Sequence, residues 1–366
     1  MKEESKRIIE WSKGCLLPPS NMDFLLTSRC NLRCKFCRFG IEKRKIDHSK
    51  DITYQEVLRT VDEGLKLGIK NWYIEGGEPL FYSDKLLQII KMIKEYDTYG
   101  NFNTNGTLFT DEIIQKIIEI EWDEITFSID SANPEIHDEL RGVPGTFDKS
   151  ITAIKKIQEM KMSLGKDKPV IGIHSVITNK NYNQLDEIIK LAHRLKVESV
   201  HFTHLFEDTK HFNELKLGKK HICDFEKNVK DAYKLAIEWN IRNNLNEYIK
   251  TISVEDLGKM DTFLKAKGLE NRNNKILSIP CFTPWFQMIV LNNGTVGYCS
   301  RFDEEIESEN IKTKKLKDIW YGKHFEKIRK EMIRGKFKSW CHMCPTSMVI
   351  HNEELRNYLK NTLKAQ

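Results

Sequence analysis

The chain has 366 residues, 40% hydrophobic and 31% charged, with 59 Lys and Arg against 53 Asp and Glu. That is an ordinary globular composition, long enough for one large α/β domain and a smaller one, and no apolar run approaches the ~18 residues of a membrane span. The acidic start Met1-Lys2-Glu3-Glu4-Ser5 leads into no signal-peptide core, so nine cysteines point to a reducing cytoplasm and to metal rather than disulfides.

Residues 1–21 read as an N-terminal extension. Ile8, Ile9 and Trp11 suggest a turn or two of amphipathic helix, Pro18-Pro19 end it, and Cys15 is an isolated, buried or incidental thiol. The apolar run Met22 to Leu26 predicts a buried strand. After it comes Ser28-Arg29-Cys30-Asn31-Leu32-Arg33-Cys34-Lys35-Phe36-Cys37. Three thiolates in one loop can hold three irons of a 4Fe–4S cube and leave the fourth iron open. A structural zinc site wants four closed ligands, usually in two separated pairs. The nearest further candidate, His48, lies across a charged stretch.

Strands and helices then alternate. Helical spacing covers Thr53 to Leu67, Asp84 to Tyr96, Asp111 to Ile120, Ser150 to Met162 and Leu185 to Leu195. Strands are expected at Asn71 to Ile74, Gly100 to Thr104, Glu124 to Ile129, Val170 to Ile177 and, last, Ser199 to Leu205. Six strand–helix rounds predict an α/β fold, a partial (β/α)6 TIM-like barrel over 22–240, with chemistry at the C-terminal strand ends.

Most of the polar motifs fall at such ends. The second strand stops at Glu75-Gly76-Gly77-Glu78-Pro79, where two glycines allow close backbone approach and the carbonyls and Glu78 suit an ammonium group. The third stops at Asn103-Thr104-Asn105-Gly106-Thr107, a polar turn whose Asn103 and Asn105 are candidate contacts. On the fourth, alternation puts Ser128 and Asp130 on one face; a helix cap is the plain alternative for Asp130. Arg141 can clamp a carboxylate two-pronged or form a surface ion pair. His174, His201 and His204 give the barrel a polar interior, with one of them facing substrate.

Residues 241–279 form a Lys- and Asn-rich bridging segment after a helix at Asp224 to Trp239, with Cys223 structural rather than reactive. A small domain follows over 280–350. Cys281 opens a strand, Phe286 to Leu291; Asn292-Asn293-Gly294 predicts a primed hairpin turn, and the return strand ends at Cys299. Cys341 and Cys344 complete four thiolates, with His324 and His342 as spares. Spacing alone leaves zinc and an iron–sulfur cube both open. Residues 351–366 hold a C-terminal helix from Asn352 to Leu363 that packs on the domain edge. From Ile311 onward 14 Lys and Arg face 5 Asp and Glu, a pattern that is usually a solvated face.

The cysteine loop and the Gly-Gly-Glu-Pro turn together resemble the radical S-adenosylmethionine (radical SAM) enzymes. The resemblance implies Cys30, Cys34 and Cys37 as ligands of a 4Fe–4S cluster whose open iron takes the methionyl amine and carboxylate of S-adenosylmethionine. It implies cofactor contacts from Gly76, Gly77, Glu78, Pro79, Asn103, Asn105, Ser128, Asp130 and Arg141. The twelve residues between Cys281 and Gly294, and the four from there to Cys299, resemble the family's SPASM/twitch extension. No cysteine follows Cys344, and Ile350 stands where the full form has another. This implies one auxiliary 4Fe–4S cluster, held by Cys281, Cys299, Cys341 and Cys344 and suited to electron transfer.

The implied reaction is reductive cleavage of S-adenosylmethionine to a 5′-deoxyadenosyl radical that takes hydrogen from carbon. A flavodoxin- or ferredoxin-type donor supplies the electron. Net oxidation would pass an electron to the auxiliary cluster; epimerisation would need a hydrogen donor such as Cys223. Only 21 residues precede the barrel, too few for a peptide-recognition domain, which favours a small-molecule substrate. Peptide or protein modification is the runner-up, a non-catalytic metal-cluster module the rival class, and nucleic acid a minority reading.

Overall fold

The computed structural model describes residues 1–37, 47–205, 214–251, 274, 276–299, 309–338, 340–341, 344 and 346–364. Its strands are β1 (Asn21–Leu25), β2 (Asn71–Glu75), β3 (Tyr99–Thr104), β4 (Glu124–Ser128), β5 (Val170–Ile177), β6 (Ser199–His204), β7 (Arg242–Asn243), β8 (Gln287–Val290), β9 (Thr295–Gly297) and β10 (Glu309–Asn310). The first helices are α1 (Lys2–Ser12), α2 (Tyr54–Leu67), α3 (Ser83–Lys94), α4 (Asp111–Glu119), α5 (Pro134–Arg141) and α6 (Thr146–Leu164). They are followed by α7 (Leu185–Arg194), α8 (Ile222–Glu238), α9 (Leu245–Thr251), α10 (Leu316–Trp320), α11 (Lys323–Ile333) and α12 (Thr346–Lys364).

Two compact units emerge. The larger comprises Leu25–Asp51 and Trp72–Ile252. In it β2 to β7 lie side by side in chain order, and the strands from β3 to β7 pair in parallel. Parallel neighbours in chain order joined by helical crossovers make a partial (β/α) barrel. The short β7 follows β6, which sequence had given as the last strand.

Alternation along these strands sorts the side chains in an unusual sense. Trp72, Ile74, Phe102, Ile125, Phe127, Ile171, Ile173, Val200 and Phe202 are buried on one face. The other face carries Glu75, Asn101, Asn103, Glu124, Thr126, Ser128, His174 and His201. These bond across strands: Asn101 Nδ2 donates to Thr126 Oγ1 (3.0 Å), Asn103 Nδ2 to Glu75 Oε1 (2.9 Å) and the Tyr99 hydroxyl to Glu124 (2.7 Å). A closed barrel is normally filled by branched apolar side chains. Here the concave face is a satisfied polar network.

The smaller unit comprises Met1–Phe24, Ile52–Asn71 and Ser253–Gln366. Its strands run β10-β9-β8-β1, with β1 parallel to β8 from Asn21↔Gln287 to Phe24↔Val290. Helix α2 starts on a capping box, Thr53 with Glu56, and stops at Gly68 in the left-handed region (φ 94). The β8–β9 turn differs from the expected primed type. Gly294 alone has positive φ (87), and its N–H donates to the Leu291 carbonyl at 2.8 Å. A type I′ turn needs positive φ at both central residues and a type II′ turn at the first, so this is a longer loop closed by a left-handed glycine.

Both expected end pieces belong to this unit. Trp11 of α1 meets Trp285 edge-on (5.0 Å), and His351 of α12 pairs with Glu4 (3.0 Å). The C-terminal helix starts six residues earlier than expected and carries two fully engaged polar groups. Asn352 accepts the Phe282 N–H (2.7 Å), and Arg356 donates to the carbonyls of Leu277, Ile279 and Pro280 (3.1, 2.8 and 3.2 Å). It is a clamp on the chain entering Cys281 rather than an edge helix.

Candidate functional site

The loop after β1 is fixed at its root by one carboxylate. Asp51 accepts from Thr27 Oγ1 (2.9 Å), the Ser28 N–H (3.0 Å) and Ser28 Oγ (2.9 Å). His48, the nearest candidate for a fourth ligand, has its Nδ1 2.6 Å from Ser28 Oγ. Further along, the Arg33 and Lys35 N–H groups donate to the carbonyls of Arg141 and Leu140 (3.2 and 2.9 Å), and the Cys37 N–H closes a turn on Cys34 O (3.2 Å). The sulfurs have donors as well. The Leu32 N–H lies 3.4 Å from Cys30 Sγ, Asn105 Nδ2 3.9 Å from the same sulfur, and Arg141 Nη1 3.8 Å from Cys34 Sγ. Such contacts favour thiolate over thiol, which is what a soft-metal site requires. Without a metal, burial pushes the Cys34 thiol up to about 12, against the pull of Arg141.

Glycines let the neighbouring motifs reach this loop. A Cβ on Gly77 would sit 2.1 Å from Arg29 O, and one on Gly76 (φ 150) 2.7 Å from Thr27 O. The Gly77 and Glu78 N–H groups then donate to the Thr27 and Arg29 carbonyls (2.7 and 2.8 Å). Sequence assigned these glycines to ligand approach; they also make room for the cysteine loop itself. Gly142 (φ 71) does the same on the far side, where a Cβ would be 2.3 Å from Arg33 O. This glycine, which caps α5, was missed as a site residue, and so was Asp51.

All three cysteines border a cavity of about 310 Å³, together with Gly76, Gly77, Glu78, Asn103, Asn105, Ser128, Arg141 and His174. Two of the expected contacts also hold local structure. Glu78 is only 1% exposed, and its carboxylate accepts from the Leu80 N–H (3.1 Å), Thr104 Oγ1 (2.8 Å) and the Asn105 N–H (2.7 Å). It therefore locks the β2 exit to the β3 exit, and burial holds its pKa near 7 despite those donors. Pro79, beside it, opens a 3-10 turn to Tyr82 whose first two residues are buried, and is not among the residues lining the cavity.

Asp130 is 0% exposed and is neither a helix cap nor a cavity wall. Its Oδ2 pairs with Arg141 Nε (2.7 Å), and Oδ1 accepts the Val176 N–H (3.0 Å). Arg141 is thus no surface ion pair. Burial disfavours its charge, yet Asp130 and Cys34 outweigh that and raise its pKa. A guanidinium so held presents its remaining N–H groups to the cavity next to Cys34.

His174 borders the cavity, bonds Thr203 Oγ1 and stacks on His201 (5.9 Å). Burial first, then His201 and Arg141, push its pKa down to about 3, so it is a neutral donor or acceptor. His204 instead packs against Tyr248 (4.6 Å). Cys223 is exposed on α8 and does not line the cavity, and Cys15 is exposed too.

In the other unit, Cys281 lies 3.2 Å from Thr283 Oγ1, and burial raises its thiol. The Cys344 N–H donates to Cys341 O (3.3 Å), repeating the turn between Cys34 and Cys37. Burial raises the Tyr298 phenol, and Cys341, Cys299 and Cys281 add to the effect. His324 packs edge-on to Phe325 (6.1 Å), while His342 lies outside the described residues. All four rear cysteines are partly buried, and thiols are the soft donors that an iron–sulfur group or zinc takes.

Residues 24–192 match the family model of the Radical SAM superfamily, and residues 281–345 that of an iron-sulfur cluster-binding domain, SPASM. The tungsten-containing aldehyde ferredoxin oxidoreductase cofactor-modifying protein of Pyrococcus furiosus is 31% identical over 48% of this chain and 48% of its own length. Mycofactocin maturase MftC of Mycolicibacterium smegmatis is 29% identical over 51% of this chain and 45% of its own. The chain thus spans about half the length of the curated relatives it matches. Streptococcus suis SuiB, solved bound to S-adenosylmethionine, shares the fold at 18% identity with a TM-score of 0.65, over 88% of this chain and 71% of SuiB. No helix among the described residues is long and apolar enough to cross a membrane. The chain carries a Radical SAM domain over residues 24–192, of the kind that binds a 4Fe–4S cluster and S-adenosylmethionine, and a SPASM domain over residues 281–345, of the kind that binds auxiliary iron–sulfur clusters.

Proposed function

We propose that this chain is a radical SAM maturase in which Cys30, Cys34 and Cys37 hold the reactive cluster and Cys281, Cys299, Cys341 and Cys344 hold one auxiliary cluster. The observation that carries the reading is the cavity itself. Three thiols of one loop border it, and a glycine turn, Ser128 and Arg141 complete its walls. The bound cluster and S-adenosylmethionine supply one-electron cleavage of the sulfonium and hydrogen abstraction from carbon. The protein's part is to bind, orient and exclude water. The Gly76-Gly77 backbone offers carbonyls to an ammonium group, Ser128 offers a hydroxyl to the ribose, and Arg141 matches a carboxylate. Glu78 and Asp130 keep those parts in register, and neutral His174 can hydrogen-bond the reacting molecule without adding charge.

The substrate we infer is a cofactor precursor. A cofactor-modifying protein and a mycofactocin maturase stand among the relatives, and this weakens the case for an unrelated small metabolite. The precursor is peptide-borne or free, and electrons come from a flavodoxin- or ferredoxin-type carrier in a reducing compartment. Anaerobically reconstituted protein given dithionite and S-adenosylmethionine is expected to form 5′-deoxyadenosine. A chain that binds iron yet forms none would be a cluster-binding module, and the enzyme reading would be lost.

A further inference from the structure

Arg141 is held against Cys34 from several sides. The loop on either side of this cysteine is bonded to the last turn of α5, where the Arg33 and Lys35 N–H groups donate to the carbonyls of Arg141 and Leu140 (3.2 and 2.9 Å). Gly142, next in the chain, packs so closely that a Cβ there would lie 2.3 Å from Arg33 O. Backbone contacts alone thus hold α5 against the loop. The guanidinium is then oriented by its neighbours. Asp130 Oδ2 lies 2.7 Å from Nε, and Oδ1 of the same carboxylate is pinned by the Val176 N–H (3.0 Å). The Phe36 ring has its centroid 5.3 Å from Arg141 Cζ. With Nε turned to Asp130, Nη1 donates to Cys34 Sγ at 3.8 Å. Both charged groups are buried, Arg141 at 7% exposure and Asp130 at 0%. Stability is a poor account of such a pair, because apolar side chains of similar volume are often as stable in its place. Recognition of a cofactor carboxylate is not a full account either, since the N–H aimed at sulfur is not available to that carboxylate.

We propose that Arg141, held in place by Asp130, donates an N–H···S hydrogen bond to the Cys34 ligand of the front cluster, the one held by Cys30, Cys34 and Cys37, and thereby raises its reduction potential. This rests on the front-cluster reading above and goes beyond it, since Arg141 then acts on the cluster as well as on the cofactor's carboxylate. Reduction adds negative charge to the cluster, and a charged donor on a ligand sulfur stabilises the reduced form more than the oxidised one. The bond is in place before S-adenosylmethionine arrives, when an outside carrier delivers the electron. Asp130 neutralises the pair as a whole, so the shift depends on how closely the donor approaches sulfur rather than on net charge. Arg141 is in this respect a tuning residue.

The test is the double variant Asp130→Asn with Arg141→Met in the full chain, which removes both charges together and strands neither. Parent and variant are reconstituted anaerobically, with iron and zinc counted in both. No S-adenosylmethionine is added, so a lost cofactor contact cannot move the result. An electron paramagnetic resonance titration follows the front cluster, and the rear cluster in the same sample is the internal reference. The expected result is unchanged iron and a roughly tenfold loss of reduced front cluster at fixed potential, a downward shift of about 59 mV for one electron. Electron–nuclear double resonance on protein carrying isotopically labelled arginine should show a nitrogen coupling to the reduced front cluster in the parent, absent in the variant. An unchanged potential, or no arginine coupling in the parent, overturns this inference and leaves the proposed function standing if the parent still forms 5′-deoxyadenosine. Zinc in the front site overturns both. Should the variant lose its iron, the labelled parent decides alone: no arginine coupling, no hydrogen bond.

Discussion

The two cysteine sets are built by opposite strategies. The front three thiols come from one loop of eight residues, Cys30 to Cys37, and their neighbours are backbone amides, Asn105 and Arg141 beside a cavity. The rear four are drawn from 64 residues, Cys281 to Cys344, and the chain entering them is pinned from outside by Asn352 and Arg356. A short loop needs little ordering entropy to gather its ligands, so its surroundings are free to be shaped for chemistry. A dispersed set has to be assembled by packing, and its surroundings are closed by that packing.

The sharpest way to break this contrast is to remove one set and read the other. Replacing Cys30, Cys34 and Cys37 by Ala should abolish 5′-deoxyadenosine formation and drop iron from about eight per chain to about half, with the rear spectrum kept. Loss of all iron would mean that the sets are not independently built. Next in size is Asp130→Asn, which strands the buried Arg141 guanidinium. A loss of about 3–5 kcal/mol in denaturant unfolding is expected, together with weaker S-adenosylmethionine binding; an unchanged midpoint would mean that the ion pair does not hold the cavity wall.

Glu78 comes third. Its folded pKa near 7 lies above the ordinary 4.5, so between those pH values the folded chain keeps a proton that the unfolded chain has released. The contribution is therefore most favourable below about pH 4.5 and declines by about 3 kcal/mol as pH rises to about 7. Unfolding midpoints of the parent should show this slope, and Glu78→Gln should flatten it; parallel slopes would exclude Glu78 as the source. The smallest effect belongs to the rear. Asn352→Ala leaves the buried Phe282 N–H without its acceptor, at a cost of about 1–3 kcal/mol, with less auxiliary iron retained and the front cluster unaffected.

Sequence showed the front site more clearly than the rear because its information is local. Cysteine spacing, the Gly-Gly-Glu-Pro turn and the period of Val170–Ile177 all lie within one element, and the strand has the expected limits. What stayed hidden depends on partners distant in the chain. Nothing near Asp130 reveals that Arg141 will turn back to it, since α5 is only 8 residues long, largely charged and was not expected. Nothing near Asn21 announces a parallel partner at Gln287. Glu78 looked like a ligand because its neighbours are glycines, whereas the Asn105 amide that claims it sits on the next strand exit. Nothing in its own helix marks Arg356 for its task; only the fold brings three carbonyls to it.

Helix α12 has a further consequence for anyone interpreting sequences of this kind. A reading frame interrupted just past Cys344 would still encode every sulfur ligand proposed for both clusters, and a motif search would score it as intact. Its product would lack Asn352 and Arg356, and the carbonyls of Leu277, Ile279 and Pro280 would lose their donors. Integrity of the gene product should therefore be judged by the presence of this tail, not by a tally of cysteines.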